Sequence, residues 1–155
     1  MSVKIEVIKA FAQTGFDRLG RVTKDLKPEQ LDWKNCTEAN TIRWILTHVS
    51  QELQINFPRI IKGDPKYSPA GWPQDYIGNA GYSLEKILAD IEKGKANLFA
   101  DLDKLKDSDL DAEIEMYGSK RKRMQGLIGM TSELIHHEGQ IAAILGLKKR
   151  MEQTK

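Results

Sequence analysis

The sequence predicts an all-α fold, an antiparallel four-helix bundle. Three observations carry that expectation. Four segments repeat apolar residues every three or four positions, no stretch sustains strand-like alternation, and turn residues separate the four. Each apolar stripe must be buried, and stripes packed against one another make a bundle.

The first segment offers Ile5, Ile8, Ala12, Leu19, Val22 and Leu26, and Pro28 lies just beyond it. The second opens at Asn40 or Thr41, either of which can cap a first turn. It carries Ile42, Ile45, Leu46, Val49, Leu53 and Phe57, and Gly63 and Pro65 end it. Pro58 falls inside this pattern and predicts a kink or an early end about a turn before Ile61. The third segment starts after Ser83 and uses Leu84, Ile87, Leu88, Ile91, Leu98, Leu102 and Leu105. The fourth runs from about Met124 through Leu127, Met130, Leu134, His137, Ile141 and Ile144 to Leu145, with Gly146 as a stop. Residues 63–82, rich in Pro, Gly and aromatics, form a long connection that reads as a lid or as a cap over the bundle end.

The chain has 155 residues, 40% of them hydrophobic, which suits one domain over residues 1–155 with one core. A formal charge of +2 demands neither nucleic acid nor membrane as a partner. No apolar run has the length of a membrane span or a signal segment. The lone Cys36 excludes an internal disulfide and favours a reducing compartment, so the expectation is a cytoplasmic protein. Cys36 itself reads as a buried or inert thiol rather than a nucleophile, because no histidine is near it in sequence. Lys120–Arg123 is the densest charge run. It reads as a solvated segment leading into the fourth helix, or as a contact for an anionic ligand or nucleic acid. Aromatics do not interleave with it, which argues against a single-strand platform. Trp33, Trp44 and Trp72 read as core packing or as a pocket mouth.

Chemistry concentrates in the histidines. The chain has three, two of them adjacent in TSELIHHEGQIAAILGL. Successive helical residues turn by about 100°, so both cannot point inward. His137 shares the inward stripe, His136 is turned away, and Glu133 lies four residues before His137 on the stripe's flank. His48, on the second segment, precedes Glu52 by four at the border of its apolar face. Glu133 and His137 on one helix and His48 on another are a candidate ligand set for a divalent metal. Two histidines and a carboxylate leave positions open for water or substrate, and Glu52 or Gln140 is placed to orient an imidazole. From spacing alone, the same residues also suit an ordinary half-buried His–Glu pair.

Two motifs resemble a family. NTIRWILTHVSQEL is similar to the second helix of DinB-like proteins, with its small-polar, Ile, x, x, Ile/Leu, x, x, His pattern. ELIHHEGQI is similar to that family's fourth-helix signature, His-x-x-His-His-Arg-Gly-Gln. Asp32-Trp33 and Tyr117-Gly118 fit the resemblance as well, which spans nearly the whole chain. It implies a four-helix bundle, often dimeric, that holds a divalent metal through three histidines. Some members are thiol-dependent transferases or isomerases that use bacillithiol or mycothiol. By position, His48 and His137 match two of the family's ligands and Glu133 falls where the third histidine is expected. Glu138 stands in place of the family's arginine and removes a positive charge beside the site. The resemblance implies a cofactor ion such as zinc, nickel, iron or manganese, a homodimer, and a small-molecule substrate that the sequence does not specify. The expected function is a metal-dependent thiol S-transferase or hydrolase. Its alternative is a non-catalytic homodimeric bundle with a degenerate site, used for binding or interaction.

Overall fold

The structure, a computed structural model, describes residues 3–153. Helix α1 spans Val3–Thr23 and buries Ile5, Ile8, Ala12 and Leu19 of the stripe its periodicity predicts, with Phe16 in addition. After a short 3-10 turn at Pro28–Gln30, α2 spans Ile42–Gln51. Its cap is Thr41, whose hydroxyl accepts from the Trp44 N–H at 3.1 Å and so satisfies an otherwise free donor of the first turn.

The helix does not break at Pro58. It widens one turn earlier into a π-turn, Glu52–Asn56, and continues as α3, Phe57–Lys62. Proline has no N–H to donate, and its ring crowds the carbonyl four residues back. The chain relieves both by shifting register, with the Phe57 N–H reaching the Glu52 carbonyl five residues away. Gly63, at φ 67°, ends α3 in the left-handed conformation that favours glycine.

Helix α4 spans Leu84–Leu102 and starts after Ser83, as the sequence predicts; the Ser83 hydroxyl caps it by accepting from the Lys86 N–H. The next stretch corrects the all-α reading. A short helix α5, Asp107–Leu110, leads into an antiparallel hairpin of β1, Glu113–Met116, and β2, Ser119–Lys122. Four-residue strands are too short to display a period, and β2 is exposed throughout, so the alternation that marks a strand is absent. The register faces Glu113 with Lys122 and Glu115 with Lys120, so the basic run is the cross-strand complement of an acidic one. Arg123 donates to the carbonyls of Ile60 (3.1 Å) and Asp109 (2.7 Å) and ties the hairpin's exit to α3 and α5.

Helix α6 spans Arg123–Gln153 and passes straight through Gly146, the expected stop. One glycine costs a helix only about 1 kcal/mol relative to alanine. The following turns are held by a Lys148–Glu152 ion pair. The fold is thus mainly helical with a small two-stranded sheet. Its four long helical segments, α1, α2 through α3, α4 and α6, share one core that includes Leu46, Leu53, Ile87, Leu127 and Leu134. Helix α1 packs along α6, and α2 touches both α4 and α6. Among the described residues no helix is long and apolar enough to cross a membrane. Cys36, expected to be buried or inert, is exposed.

Candidate metal centre

Helices α2 and α6 bring two of the histidines together. The His48 and His137 rings meet edge to face with centroids 4.9 Å apart. Trp44, one turn before His48, stacks on its ring at 5.0 Å. His137 is 6% exposed because it lies on the same stripe as Met130, Leu134 and Ile141. His136 faces outward, as helical rotation requires.

The His137 ring is held in one tautomer. Its Nδ1–H donates to Gln140 Oε1 at 2.9 Å, one turn along α6. Burial, opposed in part by that hydrogen bond, pushes its pKa down, so the ring is neutral and Nε2 carries a lone pair. That Nε2 is buried and has no hydrogen-bond partner, and the same is true of His48 Nδ1. Burial, with His137 alongside, lowers the His48 pKa as well.

The carboxylates arrive unequally. Glu133 has a side chain 48% exposed, and its Oε2 stands 4.0 Å from His137 Nε2. Glu52, the first residue of the π-turn, is 6% exposed, with Oε1 3.4 Å from His48 Nε2. Oε1 accepts from Asn56 Nδ2 at 3.0 Å, while Oε2 is buried without a partner. Burial raises the Glu52 pKa to about 7. Asn56 is a member of the cluster that sequence reasoning missed, and its spacing of four residues from Glu52 was the available signal. The hairpin adds Tyr117, named in the sequence only for its resemblance to the family and 70% exposed as a whole residue. Tyr117 and Gly118 both have positive φ, the pairing a tight two-residue turn requires. The phenol, raised by burial and then by the charges of Glu52 and Glu133, stays protonated.

The donors suit a divalent ion in kind: His137 with a buried, unpartnered Nε2, His48 with its Nε2 3.4 Å from Glu52 Oε1, and two carboxylates. They are not already gathered, since among the described residues no three His, Cys, Asp or Glu side chains form a ready cage.

The model of one protein family, the DinB superfamily, matches residues 11–141. The chain belongs to the DinB superfamily. No curated protein matches it. A conserved protein from Enterococcus faecalis has a similar structure, with a TM-score of 0.71 at 12% identity, over 93% of this chain and 95% of its own. A DinB-like protein from Bacillus subtilis has a TM-score of 0.70 at 13% identity, over 92% of each chain. At such identities the likeness is one of fold. Within this DinB-superfamily chain, Glu138 is accounted for by packing. Its Oε2 takes Arg18 Nε at 2.8 Å and Nη2 at 2.7 Å, so its charge ties α6 to α1.

Proposed function

We propose that this DinB-superfamily chain binds a divalent metal through His48, His137 and Glu133 and acts there on a small molecule, as a metal-dependent hydrolase or thiol S-transferase. The observation that carries the reading is the buried, unpartnered Nε2 of a neutral His137 set against the His48 ring. A buried lone pair with no donor is costly unless a proton or a cation meets it. When bound, the ion would bring the pKa of water or a thiol toward neutrality. Gln140 holds the His137 proton at Nδ1, and Trp44 holds the plane of His48. Tyr117, whose hydroxyl donates to Met130 Sδ at 3.6 Å, lines a cleft with Asn56, Arg59 and Met116. Position 138 on α6 is a glutamate, and the cation beside it, Arg18, is engaged by that glutamate, which leaves no free charge there for an anionic thiol and favours water as the activated group.

The test is metal content and affinity of tag-free protein. Wild type is expected to retain or take up zinc, nickel, iron or manganese at one ion per chain. His48→Ala and His137→Ala each lower affinity by at least 100-fold. Wild-type protein that takes up none of the four refutes the reading.

A second reading is favoured by the exposure of Glu133 and the ungathered donors: a non-catalytic homodimeric binding module. It expects His48→Ala and His137→Ala to leave self-association unchanged. A monomer alone in sedimentation velocity removes the dimer.

A further inference from the structure

We propose that Glu52, presented by the π-turn, is the inner carboxylate ligand of the metal site, with Glu133 as an outer, exchangeable one. This rests on the metal reading above and changes which acid does the binding. The contact between His48 Nε2 and Glu52 Oε1 is 3.4 Å. That is longer than an N–H···O hydrogen bond, usually 2.7–3.2 Å. It is close to the edge of about 3.3 Å between two donors that each lie about 2.0–2.1 Å from one tetrahedral ion. Glu133 Oε2, at 4.0 Å from His137 Nε2, lies beyond that edge.

The surroundings of the two acids differ in the same sense. Glu52 Oε1 is steadied from behind by Asn56 Nδ2 at 3.0 Å, the kind of support that fixes a ligating carboxylate. Its Oε2 is buried and free of hydrogen bonds, as is His137 Nε2. Asn56 is itself approached by Arg59 Nη1 at 3.5 Å. Glu133 makes no hydrogen bond among the described residues and is half exposed. Charge gives Glu133 a place beside Glu52. One carboxylate and two neutral imidazoles leave a divalent ion with a net +1 in a buried place, whereas two carboxylates cancel it. The π-turn is the element that carries Glu52, and such widened turns are concentrated at functional sites.

The experiment measures Kd for Zn²⁺ and the visible spectrum of bound Co²⁺ in full-length wild type, Glu52→Gln, Glu52→Asp and Glu133→Gln. Glu52→Gln is expected to weaken Zn²⁺ binding by at least 50-fold and alter the Co²⁺ bands. Glu52→Asp, which keeps the charge and stands in if the Gln variant does not fold, recovers part of the affinity with shifted bands. Glu133→Gln weakens binding less than tenfold. If Glu133→Gln loses the ion while Glu52→Gln keeps wild-type Kd and spectrum, the assignment of Glu52 is overturned and the metal site stands. If wild type binds neither ion, both fall.

Discussion

His137 and His136 are chemically identical neighbours with opposite fates, and one rotation of about 100° decides between them. That much was legible, because His137 shares a stripe with Met130, Leu134 and Ile141. The same rule placed Glu133 on the stripe's flank, where a small rotation separates buried from exposed, and the structure leaves it half exposed. Asp32 acquires a role in the fold that spacing did not suggest. It takes Arg43 Nε and Nη2, each at 2.7 Å, in a two-pronged pair. The Arg43 guanidinium holds the Asp32 carboxyl below the usual carboxylate range. Arg43 binds the ionised form, so the pair stabilises the fold above about pH 4 and loses that contribution as pH falls through the lowered value. Melting temperatures of wild type and Asp32→Asn should therefore differ at pH 7 and converge toward pH 3. A gap that stays constant with pH would rule out the ion pair as its source.

At the scale of elements, the α2 cap was legible as Asn40 or Thr41 and the α4 start as the residue after Ser83, because capping is local chemistry between residues three apart. Pro58 was legible as a disturbance, but its form was not. A lost donor can be accommodated by a break, a kink or a widened turn, and packing against α4 selects among them. That packing is close: a Cβ added at Gly94 of α4 would stand 2.6 Å from Leu53 Cβ in the π-turn. Gly94→Ala should push α4 away from the turn and destabilise the protein by about 1–3 kcal/mol, measured by urea unfolding. An unchanged midpoint would mean that the two segments slide apart freely. The hairpin escaped detection because its strands are four residues long: β1 turns only Ile114 and Met116 inward and β2 is exposed throughout, too little for a period to register.

Across the whole molecule, the connection over residues 63–82 is stapled to the helices at several places. Gly78 N–H donates to Thr47 Oγ1 at 2.9 Å, Arg59 Nε to the Tyr67 carbonyl at 2.8 Å, and Tyr76 Oη to Asp90 Oδ2 at 2.6 Å. Of the lid and the cap expected from its length, these anchors favour the cap. Tyr76→Phe should cost about 1 kcal/mol. It should also speed hydrogen exchange in residues 63–82 more than elsewhere; uniform protection across the chain would show that Tyr76 is not the anchor. By itself the sequence determined the helical segments, their starts, the inward turn of His137 and the place of His48 at the border of its apolar face, because periodicity and capping act within a few residues. Only the tertiary structure decided that His48 meets His137, that Glu52 is buried while Glu133 is not, that Glu138 is spent on Arg18, and that acidic and basic runs pair as strands. Each of these depends on the rotation and approach of elements far apart in the chain, where shifts of an ångström or tens of degrees change the neighbour and no local rule sets them.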